Sequence, residues 1–459
     1  MGIKSFIGTK AFYKYAISLA IPVFIQQMIT NFVSLLDNIM VGQVGTEAMS
    51  GVAIANTLIF VFNLCIFGGV SGPGIFSAQF HGKENHKGVR DCLRYKFILV
   101  FSLTVLAEAL IFFLHTPLIN FYLHDVNSGN IAETFKAAKE YLFIMALGLP
   151  PFALCNAYAG TLRETGETAL PMKAGVIAVL VNLLFNYLLI FGKFGFPELG
   201  VAGAAIATVI SRYVEFFIVC IATHTNSIKY KFIKGVYKTF KIPKQLVKDI
   251  TVKGLPLILN ETCWAAGIST LTGCYSMRGL SVVAGFNIAQ TITNLFNVGF
   301  ISFGTVIAIM IGNQLGAGKL KEAREDAKKL IVLSVSVSTV IGLIAVITAK
   351  LFPLLYNTTD EVRNIAAIII MISAAFTPIN AFVHACYFTI RSGGKTYITF
   401  LFDSVFEWIV CVPVAFVIAS YTNMHIFFLF FIVQMMVFIK AIIGGILVSK
   451  GIWVHNLTD

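Results

Sequence analysis

Runs of about 20 apolar residues recur along the whole chain, and each is long enough to cross ~30 Å of hydrocarbon as a helix. No water is available in lipid to satisfy backbone amides, so only helices and closed β-barrels span it. A barrel is written in alternating segments of ~10 residues, and these runs do not alternate. The composition agrees: 57% of residues are hydrophobic and only 12% are charged, too few to clothe a soluble surface. The chain reads as an all-α polytopic membrane protein. Twelve spans are expected, near 12–40, 53–80, 94–121, 137–161, 169–192, 200–223, 250–276, 285–315, 330–355, 364–390, 397–420 and 425–449.

Lys and Arg set the expected orientation. The N-terminus, the even-to-odd loops and the C-terminus hold about 26 of the 34, and the opposite set about five (Lys136, Lys139, Lys193, Arg278, Arg363). Positive loops stay inside, which predicts a multi-pass plasma-membrane protein with both termini cytoplasmic. Between spans six and seven stand Lys229, Lys231, Lys234, Lys238, Lys241, Lys244, Lys248 and Lys253 against the single acid Asp249. This segment is expected to be a linker lying on an anionic membrane surface. The formal charge of +12 then needs no nucleic-acid partner.

The chain also repeats itself. Thr161-Leu162-Arg163-Glu164-Thr165-Gly166 returns 228 residues later as Thr389-Ile390-Arg391-Ser392-Gly393-Gly394, and that offset also pairs Pro150 with Pro378. Ile54-Ala55-Asn56-Thr57 returns at an offset of 234 as Ile288-Ala289-Gln290-Thr291, the register that pairs Pro22 with Pro256. Duplication divides the chain into an N-terminal lobe (1–223), a basic linker (224–249) and a C-terminal lobe (250–459), with six spans in each lobe. Six is even, so the repeats are parallel: two pseudo-symmetric six-helix bundles that can enclose a cleft of alternating access. Pro22 and Pro256 stand inside the first helix of each bundle, where a proline removes a backbone bond; each is a candidate helix bend. Arg163 and Arg391 are expected in the loop turns, bonding exposed helix carbonyls or lipid headgroups.

Carboxylates inside a membrane are costly and call for a partner or a wet cavity. Asp37 in the first span and Glu261 in the seventh are the two candidates for coupling to an ion. Burial disfavours their charged form, so a proton or a metal cation readily neutralises them. A hard cation also wants neutral oxygens. Asn182 and Asn186, one turn apart on the fifth span, and Thr208 on the sixth offer these, with interhelical hydrogen bonding as their plain alternative. The repeat register places Gln27 opposite Glu261. Asp403 and Glu407, at i and i+4, are lesser candidates that could share a proton.

These residues together resemble the multidrug and toxic compound extrusion (MATE) transporters. The likeness lies in the two six-helix halves, in Asp37-Asn38-Ile39-Met40-Val41-Gly42, in Asn182 to Gly203 and in the duplicated Arg-x-x-Gly turns. It implies a V-shaped pair of lobes and export of organic, often cationic, compounds against inward H⁺ or Na⁺. On the same resemblance Asp37 is the first-helix carboxylate and Pro22 its bend proline. Asn182, Asn186 and Thr208 complete a cation site that could take Na⁺, and Glu261 is the seventh-helix acid. Three positions depart from subgroup patterns: Asn186 stands where an Asp is common, Asn380 where a tenth-helix acid is, and Asn297 where an eighth-helix Tyr is. Gln27, Asn260, Gln290, Asn297 and Asn380 are the further polar candidates for cation or substrate.

The expected function is therefore a secondary antiporter, working as a monomer on a small organic substrate, with no cofactor beyond H⁺ or Na⁺. A lipid-linked precursor flippase of the same superfamily is the alternative. It would favour several cations lining the cleft, and Arg212 is the main mid-span cation read from the sequence. A polytopic membrane enzyme would want paired Asp motifs or a His-Asp arrangement, which are not evident, and no nucleotide-binding loop suggests ATP drive.

Overall fold

The computed structural model describes residues 7–123 and 130–458, and among these it holds thirteen helices and no strand. They are α1 (Lys10–Gly42), α2 (Thr46–Gly82), α3 (His86–Leu123), α4 (Ile131–Ala146), α5 (Leu149–Glu164), α6 (Ala169–Ile190), α7 (Gly200–Thr225), α8 (Lys244–Ser276), α9 (Leu280–Gly316), α10 (Leu320–Thr348), α11 (Asp360–Ser392), α12 (Thr396–Tyr421) and α13 (Ile426–Lys450). Ten are long and apolar enough to cross a membrane alone, and α4 with α5 forms another span bent by 47°. The twelfth is α8, whose apolar run is diluted by Asn260 and Glu261. The fold is all-α, with twelve spans in two repeats of six.

The bend does not fall where the first-helix prolines suggest. Both α1 and α8 continue as helix through Pro22 and Pro256. The break comes instead at Gly148, where Pro150 and Pro151 open α5. A proline in a first turn has no intrahelical amide bond to lose, so it starts a helix cheaply and ends the one before.

The residues form two compact units, neither of them continuous in sequence. One comprises Ile25–Ser77 with Asn85–Gly254; the other comprises the chain up to Phe24, Ala78–Glu84 and everything from Leu255 on. Each first helix therefore changes unit beside its proline: α1 after Phe24 and α8 after Gly254. The apolar turns explain the first exchange, because Ala16, Leu19 and Ala20 pack with Phe303, Ile307, Leu330 and Trp453 in one buried cluster.

In the first unit the basic linker is more than a solvated tether. Arg94 donates to the carbonyls of Gly235 and Val236 at 2.7 and 2.8 Å, and Arg90 to that of Phe232 at 3.1 Å. Tyr230, Phe232, Ile233 and Val236 are buried beneath. The lysines alternate with apolar residues, so one face of the segment can pack while the other stays charged. Lys96, wholly buried on α3, meets Glu164 at 2.6 Å and Thr161 at 2.9 Å.

In the second unit the last turn of α2 crosses the last turn of α9. A Cβ on Gly82 would lie 1.8 Å from the Asn313 carbonyl oxygen, one on Gly316 would lie 1.8 Å from that of Gln79, and one on Gly312 would lie 2.9 Å from Ala78. Residues 78, 79 and 82 correspond to 312, 313 and 316 at the 234-residue offset, so the symmetry of the repeat runs through the contact. Small residues four apart bring two helices to backbone distance. Gln79, wholly buried, ties this crossing to the chain's end: its Nε2 donates to the Ser392 carbonyl at 2.9 Å, and its Oε1 accepts from the Leu457 amide at 2.7 Å.

Candidate functional site: a polar cluster in each bundle

In the first unit α1, α6 and α7 bring Asp37, Asn182, Asn186 and Thr208 together. The one-turn spacing of the two asparagines puts both amides on one face of α6. Asn186 Nδ2 donates to Asp37 Oδ1 at 2.6 Å. With its nitrogen turned to the carboxylate, Asn182 donates to the two Asp37 oxygens at 3.0 and 3.1 Å and accepts from Thr208 Oγ1 at 3.3 Å. Asn182 and Asn186 are buried, and Asp37 is half-buried. Asn186 Oδ1 is buried without a hydrogen-bond partner. Among the described residues no Lys, Arg or His forms an ion pair with Asp37, whereas Asp91, Glu164 and Glu167 in the same unit each have one.

The second unit holds a more strongly charged cluster, on α8, α11, α12 and α13. Asn260, 1% exposed, donates to Asp403 Oδ2 at 3.1 Å and to Tyr387 Oη at 3.2 Å, and accepts from Ser404 Oγ at 2.8 Å. Asp403 Oδ1 accepts from Lys440 Nζ at 2.5 Å. Glu261 is half-buried one residue away, within electrostatic reach of Arg391 and Asp403. The two acids of α12 do not pair with each other: π-helical turns at Leu401–Val405 and Glu407–Cys411 widen the helix there, and Asp403 takes Lys440 instead.

The repeated arginines turn inward rather than outward to carbonyls or headgroups. Arg163 Nη2 donates to Gln26 Oε1 at 3.1 Å. Arg391, 7% exposed, lies 5.1 Å from the ring centre of Phe388 and 5.9 Å from that of Tyr387. Each bundle thus sets the arginine of its repeated turn near a polar side chain of its first helix. In the first bundle that side chain is Gln26, not the Gln27 of the sequence register. Arg212 donates to the Gly148 carbonyl at 3.3 Å and stacks 4.8 Å from Phe152, while Glu215 faces Arg163 as well as Arg212.

Three polar candidates stay outside these networks. Gln290 is exposed and bonds Asn294 on its own helix at 2.8 Å, and Asn297 and Asn380 are half-buried away from the Asp403 bonds. The residue that sequence reasoning passed over is Lys440. A lysine fifteen residues into an otherwise apolar α13 was the available signal, since an intramembrane charge announces a partner.

Two repeats of six helices, each enclosing a carboxylate within a polar network, define a polytopic transporter. The chain matches the family model MatE twice, over residues 22–188 and 256–417, and belongs to that family. Both matches start at a first-helix proline, 234 residues apart. It is similar to the "probable multidrug resistance protein NorM" of Haemophilus ducreyi (28% identity, 87% of this chain and 85% of that one). It is also similar to the NorM of Thermotoga maritima (25%, 89% and 86%) and to the multidrug resistance protein MdtK of Edwardsiella ictaluri (24%, 88% and 87%). A solved outward-facing multidrug resistance MATE family transporter of the MOP superfamily shares the fold at a TM-score of 0.83, 18% identity and 98% coverage of both chains. A MOP superfamily transporter from Pyrococcus furiosus does so at 0.81, also with 18% identity and 98% coverage of both. The chain is a transporter, not an enzyme.

Proposed function

We propose that this transporter exports organic, cationic compounds of the multidrug type in exchange for H⁺ or Na⁺, with Asp37 as the carboxylate that takes and releases the coupling ion. The observation that carries this reading is the setting of Asp37: a carboxylate bonded only to neutral groups, at 2.6 Å from Asn186, with no fixed cation paired to it among the described residues. Its charge must be balanced by something mobile. Side-chain amides suit the exchange, because they donate N–H to a bare carboxylate and, turned over, present oxygen to a cation or a protonated acid. The Thr208 hydroxyl and the unpartnered Asn186 Oδ1 supply further oxygens for Na⁺. The names of the relatives support multidrug export. The basic loops support a plasma-membrane location with cytoplasmic termini, and one chain carries both polar clusters, as a working monomer requires.

In this cycle Glu261 is the second exchangeable carboxylate, and a half-buried acid near Arg391 is placed to meet a cationic substrate when the ion leaves. A flippase for lipid-linked anions would need unpaired cations. The buried Lys96 and Lys440 are instead each committed to a carboxylate. The test is efflux of a fluorescent organic cation from proteoliposomes under a pH gradient and a Na⁺ gradient imposed separately. One gradient is expected to drive efflux and Asp37→Asn to abolish it. Intact gradient-driven efflux in Asp37→Asn sinks the assignment.

A further inference from the structure

The second bundle contains the positive charge that the Asp37 site lacks. Lys440 is 8% exposed, its Nζ lies 2.5 Å from Asp403 Oδ1, and the same ammonium sits 5.8 Å from the ring centre of Phe402 and 6.0 Å from that of Phe406. The other Asp403 oxygen is held by Asn260, which Ser404 fixes in turn. Every element around the pair contributes a charged or titratable group: Glu261 from α8, His384, Tyr387 and Arg391 from α11, and Glu407 and Cys411 from α12. Three carboxylates thus face two fixed cations. Asp403 is the carboxylate in direct contact with an ammonium.

An amide, a hydroxyl and a carboxylate around one point would suit a small cation. At Asp403 that point is filled by a side chain. We infer that Lys440 is a tethered counter-ion: its ammonium occupies the place at Asp403 that a proton or Na⁺ would otherwise take, so this carboxylate stays ionised and draws no ion from solution. The inference deepens the proposed antiport and rests on it for its functional meaning. It makes Lys440 a specificity-determining residue: by closing Asp403 to ions, it leaves exchange to Asp37 and Glu261. A lysine also cannot leave with the substrate, so the Asp403 charge is balanced in every state of the cycle.

The test uses full-length purified protein and two probes: ²²Na⁺ binding, and the infrared band of protonated carboxyl groups recorded across neutral pH. Lys440→Met is expected to add one cation per chain, as bound Na⁺ or as a proton on Asp403. That extra cation should vanish in Lys440→Met/Asp403→Asn, which also removes the unpaired charge and so guards against a folding defect. Lys440→Arg, which keeps a fixed cation, should add none. The inference is overturned if Lys440→Met adds no Asp403-dependent cation, or if Asp403→Asn alone removes a cation from the otherwise unchanged protein. The antiport assignment fails separately: if Asp37→Asn leaves ion-driven efflux intact while Lys440→Met still gains its cation, only the role of Asp37 falls.

Discussion

Gly82→Ala/Gly316→Ala is the perturbation whose consequence can be worked most directly. Each new methyl would start 1.8 Å from a carbonyl oxygen on the other helix, where ordinary van der Waals contact begins at 3.4 Å. The obstacle is backbone, so no rotamer change relieves it, and the α2 and α9 ends must part by about 1.5 Å. A gap of 0.5–1 Å already forfeits a quarter to a half of a dispersion contact, so a 1.5 Å parting strips most of the crossing's packing. Overpacking costs about 1–3 kcal/mol per site. Taking about 3 kcal/mol for the pair, since two methyls in one crossing share a single displacement, the closed crossing loses about 100-fold in population. The reporter is a disulfide across the same crossing, Ala78→Cys/Gly312→Cys in a background freed of native cysteines, whose Cβ atoms are close enough to bridge. Cross-linking should proceed readily, and should slow at least tenfold when the two alanines are added. Gly273→Ala, where a Cβ meets nothing within 4 Å, is the control and should change nothing. Unaltered cross-linking and thermal stability in the double alanine variant would mean that these helices do not touch at backbone distance.

Three further outcomes are expected. Lys96→Met leaves Glu164 charged and unpaired in the interior and should cost about 3–5 kcal/mol by thermal denaturation in detergent, with Lys96→Met/Glu164→Gln recovering most of it; equal losses in both would refute the pairing. Trp453→Ala empties a fully buried indole site beside Gly393 and should cost about 3–5 kcal/mol, while a loss under about 1 kcal/mol would mean the chain's end does not dock. At Glu167 burial pushes the carboxyl up, but Lys229, the Leu170 amide and Tyr230 outweigh it and hold it below the usual 4.5. A depressed folded-state value stabilises above about 4.5 and is lost as pH falls through that lowered value. Glu167→Gln should therefore lower the melting temperature at neutral pH, and the gap from the unaltered protein should close on acidification; a gap independent of pH would discount the pair.

Much of this was legible before any coordinates. Twelve apolar runs and two offsets announce two six-helix repeats, because lipid leaves the backbone little choice and duplication preserves spacing. Asp37, Asn182, Asn186 and Thr208 could be grouped because i,i+4 spacing and a rare carboxylate are local signals. The Asp403–Lys440 pair could not: its members lie 37 residues apart on different helices, and π-helical turns that no local pattern announces alter the face on which Asp403 and Glu407 stand. The linker misled for a related reason, since eight lysines dominate a composition count while the buried Tyr230, Phe232 and Ile233 decide where the segment packs. Prolines misled most plainly. Pro22 and Pro256 look like breaks by residue type, yet the helix ends where Pro150 and Pro151 follow Gly148, at a point no other helix bridges.

The exchange of first-helix segments bears on how the chain is made. Ala16, Leu19 and Ala20 leave the ribosome among the first residues, but their packing partners include Phe303, Leu330 and Trp453. Until those are synthesised, the start of α1 has no home. The two halves accordingly cannot mature one after the other as beads on a string, and a fragment ending before α8 would carry a sticky, unsatisfied N-terminal helix while its missing counterpart lacked a piece of its own core. Assembly must close as a loop, with the last residue groups translated locking the first ones in place.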